Sequence, residues 1–162
     1  MMKMKLAKNI IGIFILVLLI ILPKGEAQYS INERFIGWKQ QPIGIKSNGK
    51  IININAYIAN TQTKRKQGLM HVESMPDDVG MLFIFDPPRM VSIWMKNTLI
   101  ELDIIFIDQD QKIIKIHKNA QPYSLESISS GLAVKWVVEM NGKTSDLWEI
   151  KPGDQLIFQQ AD

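Results

Sequence analysis

The sequence predicts a mostly-β chain: a single-domain antiparallel β-sandwich with one short helix, preceded by an N-terminal signal peptide. Three observations predict it. Short apolar or alternating runs recur at regular spacing between turns rich in Gly, Pro, Asn and Asp, the pattern of an antiparallel sandwich or barrel. The segment with helix start and stop signals, residues 62–67, is long enough for only one or two turns. The first 27 residues have the composition of an export leader rather than of a folded element.

In that leader, Lys3, Lys5 and Lys8 form a basic start, and residues 10–22 are apolar apart from Gly12. Gly25-Glu26-Ala27 places small residues at −3 and −1 of a cut after Ala27. The apolar run is short for a membrane span, which needs about 20 residues. Residues 1–27 are therefore expected to be a signal peptide, with an uncleaved N-terminal anchor as the alternative. No cysteine lies near the cut, so lipid attachment there is excluded. The leader holds four of the 19 basic and one of the 16 acidic residues, so the rest of the chain carries 15 of each. A charge-balanced domain offers no electrostatic footprint for nucleic acid. The absence of cysteine excludes disulfides, zinc–thiolate sites and thiol nucleophiles. The expected location is periplasmic or extracellular.

Residues 28–48 lack sustained periodicity and are expected to be a linker, with the folded domain over residues 49–160. Ser47-Asn48-Gly49 is a turn. From Lys50 to Ala59, Ile52, Ile54, Ala56 and Ile58 alternate with polar residues, as in a half-buried strand. Thr61 stands as helix N-cap, and Gly68 follows the helix end. Residues 75–80 form a turn, residues 81–85 a short apolar strand, and Asp86-Pro87-Pro88 its end. Residues 91–95 make another strand, followed by the tight Lys96-Asn97-Thr98 connection. Residues 102–108 and 112–117 read as a β-hairpin. A Ser-rich loop over residues 119–131 leads to a strand over residues 132–140 and a last one over residues 155–158.

Four motifs recur in order: Arg65-x-x-Gly68-Leu69-Met70; Gly80-Met81-Leu82-Phe83-x-Phe85; Trp94-Met95-Lys96-Asn97-Thr98; and Leu102-Asp103-Ile104-x-Phe106-Ile107-Asp108. Together with Val138-Glu139 and Gly153-Asp154 they resemble the domain of unknown function 192 family, over about residues 50 to 158. Ile93 stands where that pattern usually has phenylalanine, and Ile100-Glu101 where it usually has a proline turn. The resemblance implies a jelly-roll-like β-sandwich, in bacterial and archaeal proteins that are typically exported or membrane-tethered. It implies no established activity.

Three groups of residues are candidates for chemistry. Asp103 and Glu139 each interrupt an apolar run, and a buried carboxylate needs a partner or takes up a proton. Arg65 is the expected forked donor to both, forming a structural ion-pair network or the anchor of a polar ligand. Trp94, Lys96, Asn97 and Thr98 combine an aromatic face with amine, amide and hydroxyl groups, as a glycan- or peptide-binding patch requires, or else form core and turn. Met70, Met75, Met81, Met90 and Met95 are soft ligands that suit Cu(I), but thioethers more often fill core gaps. No cofactor or metal is expected. There is no nucleophile elbow, no His-x-x-x-His pair and no phosphate-cradling glycine loop. The reading is thus an exported domain that binds a small polar ligand or serves as a cell-envelope accessory to another protein. A hydrolase using Asp103 and Glu139 as a carboxylate pair is the alternative. Nucleic acid is not an expected partner, and membrane contact is expected only through the leader.

Overall fold

The computed structural model describes residues 29–159. In chain order the elements are β1 (Tyr29–Ser30), α1 (Ile31–Arg34), β2 (Gln40–Ser47), β3 (Lys50–Ala59), α2 (Gln62–Gln67), β4 (Val72–Ser74), β5 (Val79–Arg89), β6 (Ser92–Ile93), β7 (Leu102–Ile107), β8 (Ile113–Ala120), β9 (Ile128–Ser129), β10 (Val134–Asn141), α3 (Thr144–Leu147) and β11 (Gln155–Phe158). Seven strands form one sheet in the order β11-β2-β3-β5-β10-β7-β8, and the pairs β1–β4 and β6–β9 make two small ribbons. The sheet curls until its outer strands meet. Lys112 bridges Gln155, the Ile113 N–H donates to the Asp154 carbonyl and the Leu156 N–H to the Gln111 carbonyl, both at 2.8 Å.

Curling gives the sheet an inside and an outside, and period-two alternation distributes the side chains between them. Ile43, Ile54, Leu82, Ile105, Val138 and Leu156 fill the interior. Met81, Phe83, Phe106 and Val137 point outward, yet they too are buried, together with Ile31 and Phe35 of the α1 region, Leu69, Val72 of β4 and Ile128 of β9. Strand β7, between β10 and β8, is consequently buried at all six positions, which is why it reads as an apolar run broken only by Asp103. Full burial of a side chain such as Phe106 or Ile105 stabilises the fold by roughly 1.5–3 kcal/mol.

The expected mostly-β class holds, as do the 102–117 hairpin, seen as β7–β8, and the terminal strand β11. Several local expectations are corrected. Residues 28–48 are no linker among the described residues: β2 is a sheet member paired with both β3 and β11. Pro42 and Gly44 disguise it. At Gly44 a side chain would meet Ile51 Cγ2 at 2.8 Å, so a larger residue there would have to displace the Ile51 side chain. Asp86-Pro87-Pro88 does not end β5. The partner strand β3 stops pairing at Phe83, leaving β5 beyond it an edge where prolines, lacking N–H, are tolerated. The β3–β5 pair is parallel, because α2 and β4 carry the chain back across the outer face. The strand expected over residues 91–95 shrinks to the two residues of β6, and α1 and α3 join α2 as short helices. The proposed leader, residues 1–27, lies outside the described residues. Among the described residues no helix is long and apolar enough to cross a membrane.

Candidate ligand-binding cleft

A cleft of about 420 Å³ opens on the outer face of the sheet, between α2, the far end of β5 and the segment around β6. Its first wall is α2. The Thr61 hydroxyl accepts from the Lys64 N–H at 3.2 Å, and the Gly68 N–H closes the helix on the Lys64 carbonyl at 2.9 Å, so both expected caps are present. Gly68 has φ +47°, a conformation glycine adopts without the usual side-chain clash, and a Cβ there would touch the Phe83 ring at 3.5 Å. That turn delivers Arg65 and Lys66 to the cleft.

Arg65 reaches over the sheet. One terminal nitrogen, Nη1, donates to the Asn60 and Ile84 carbonyls, both at 2.8 Å, and its guanidinium lies 5.3 Å from the Phe85 ring centre. Arg89, at the end of β5, lies 5.1 Å from the same ring centre. The two cations are thus no further apart than those distances together allow. Arg65 is held below its ordinary pKa, first by desolvation and second by the Arg89 charge. Neither has a carboxylate partner among the described residues, where the one ion pair seen joins Lys118 and Asp146.

Glu139 completes the cleft from β10, directly opposite Met81 on β5 and Ile104 on β7. It is only 4% exposed, and no hydrogen bond to its carboxyl is present among the described residues. Burial pushes its pKa up to about 8, from an ordinary 4.5, so the side chain is a neutral acid at neutral pH. Thr98, also buried, and Trp94, half exposed, line the side toward β6.

The structure separates the seven residues singled out from sequence. Arg65, Trp94, Thr98 and Glu139 share the cleft. Lys96 packs its ammonium 5.3 Å from the Trp94 ring centre, outside the lining, and Asn97 takes φ +56° in the turn, where its carbonyl accepts from the His71 N–H. Asp103 is elsewhere. It pairs in register with Met140, on the face opposite Glu139, and accepts from the Asn119, Lys143 and Ser145 N–H groups and from the Ser145 hydroxyl. The expected Arg65 bridge between two acids is therefore corrected: one acid is satisfied by the backbone around α3 and the other keeps its proton. A hydrolytic pair of Asp103 and Glu139 fails for the same reason, since alternation along β7 and β10 sends them to opposite sides of the sheet.

The methionines divide as well. Met75, Met81 and Met95 are core, and Met90 is 66% exposed. A second hollow of about 550 Å³, around Trp148, is larger than the cleft but chemically quieter: its Asn48 is engaged by Glu149 and Lys151. Sequence reading missed Lys66, Phe83, Phe85 and Arg89. The outward alternation of Met81, Phe83 and Phe85 could have flagged the aromatic floor. Nothing local marks Arg89, which follows what reads as a strand-ending Pro-Pro.

Comparison with known proteins agrees with this architecture. A crystal structure from Sinorhizobium meliloti 1021, of a protein provisionally described as a transcription regulator, is 37% identical with a TM-score of 0.72, covering 74% of this chain and 93% of that one. A protein of unknown function from Novosphingobium aromaticivorans DSM 12444 is 31% identical with a TM-score of 0.73, covering 80% and 90%. No curated protein matches. The family model of DUF192, an uncharacterized ACR family, matches residues 43–158, from the middle of β2 to the end of β11. The chain belongs to the DUF192 family.

Proposed function

We propose that this is an exported binding module that takes a polar ligand, a glycan or a peptide, in the cleft between α2 and β5–β6. The observation that carries the reading is the convergence of unpaired cations, an aromatic floor and one uncharged acid on a single concavity. Its volume is in the usual range for small-ligand pockets, roughly 300–1,000 Å³. Trp94 at the mouth supplies a rigid face for a sugar ring or a peptide side chain. Export rests on the leader pattern in residues 1–27. The S. meliloti relative's description as a regulator finds no support in the charge balance of residues 28–162, which leaves no net positive field for nucleic acid.

The test is a thermal-shift screen of the full chain in non-ionic detergent against chito-oligosaccharides and short peptides, repeated with Trp94→Ala. A hit at saturating ligand is expected to raise Tm by about 2–5 °C and to weaken in the variant. A screen without hits, or a hit indifferent to Trp94, overturns the assignment of the cleft.

A further inference from the structure

We infer that the group this cleft selects is an oxyanion, a carboxylate or phosphate carried on an apolar or aromatic body, held by Arg65 and Arg89 above Phe85 with Thr98 and the Glu139 carboxyl beside it. The inference rests on the binding reading above and specifies its ligand class.

Three features of the cleft point the same way. Two guanidiniums share one aromatic ring, at 5.3 and 5.1 Å, and no acid among the described residues neutralises either. The Arg89 charge acts on Arg65, second to desolvation, and a counter-charge bound between the two would relieve that repulsion. Arg65 is also pre-aimed. Its Nη1 is fixed by two backbone carbonyls, which leaves Nη2 and Nε with no protein partner among the described residues. A guanidinium edge of that kind binds a planar or tetrahedral oxyanion through two parallel hydrogen bonds.

The third feature is the acid. A carboxylate at Glu139 would neutralise the cations and repel an anion, but the buried group is protonated at neutral pH. It then presents an O–H donor instead of a negative charge. With Glu139 the one acid in its lining, the cleft therefore sets three cations and no negative charge against an anion. Phe83, Phe85 and Trp94 offer apolar surface to whatever carries the anion. A neutral sugar alone would leave the guanidinium pair uncompensated.

The experiment uses the full chain in non-ionic detergent and three probes of one shape: benzoate, phenyl phosphate and the neutral isostere benzamide. Titrations are followed by the backbone amide signals of Gly68, Leu69 and Thr98. The anionic probes are expected to bind about ten-fold more tightly than benzamide, as a charge-assisted pair of hydrogen bonds predicts. Whichever of benzoate and phenyl phosphate binds more tightly identifies the oxyanion. The Arg89 side chain is exposed and makes no hydrogen bond to described residues, so Arg89→Gln spares the fold and is expected to erase most of the preference. Equal binding of benzamide and benzoate overturns the oxyanion inference while leaving the cleft a ligand site. Silence from all three probes overturns both.

Discussion

Glu139 and Asp103 began as equivalent candidates and ended with opposite chemistry. Each sits in a strand buried on both faces. What separates them is the supply of donors. Asp103 lies beside the loop that opens α3 and receives three backbone N–H groups and a hydroxyl, so its buried oxygens are hydrogen-bonded within the protein. Glu139 faces aromatic rings and receives none, so burial favours its neutral form. The sign of the stability effect follows. Between about 4.5 and 8 the unfolded chain has lost the Glu139 proton and the folded chain has kept it. Stability therefore falls as pH rises through that window and levels off above it. Glu139→Gln removes the dependence. Urea unfolding of both proteins from pH 5 to pH 8 is expected to show the variant gaining on the wild type by on the order of 4 kcal/mol across the window. Parallel curves would show that the carboxyl is ionised throughout. The cleft cations Arg65, Lys66 and Arg89 line the same cleft as this group.

Among the elements, β2 is the one whose role differs most from its appearance. A proline and a glycine within eight residues look like a flexible connection, yet Ile43 and Ile45 are fully buried and every residue from Gln40 to Ser47 pairs with β3. Removing β2 would expose the interior face of β3 and leave β11 without a partner strand. A chain lacking residues 1–47 is expected to lose its cooperative urea transition, because two buried isoleucines alone contribute roughly 3–6 kcal/mol and domains are stable by only about 5–15. A sharp transition in that truncation would return the segment to linker status. The helix α2 follows a different logic. At six residues it is far too short to be stable alone. It exists because Thr61 and Gly68 cap it and because Leu69, just beyond, inserts into the outer core. Its three consecutive cations are thereby held in place, and two of them, Arg65 and Lys66, reach the cleft.

At the scale of the whole molecule, a sheet that curls until β8 touches β11 solves the problem of unpaired edges and creates two unequal faces. The interior is mostly apolar, with the Asp103 carboxyl on that face held by hydrogen bonds. The exterior is covered in patches by α1, β4 and the β6–β9 ribbon, and where α2 and that ribbon fail to meet, the cleft remains. The site is thus a gap in a covering layer, and its chemistry comes from four separate parts of the chain.

That origin explains what was legible beforehand. The sequence by itself determined the strand-rich class, the caps of α2, the β7–β8 hairpin and the burial of both acids, because alternation, capping and apolar runs are local signals read within a few residues. The motifs also pointed to the right family. Only the tertiary structure decided which acid meets Arg65, and the answer was neither. Strand parity set Asp103 and Glu139 on opposite faces, and the guanidinium found carbonyls and an aromatic ring instead. It also decided that Arg89 belongs beside Arg65: a residue behind two prolines comes to its partner through sheet curvature, and pairwise spacing in the chain carries no trace of that.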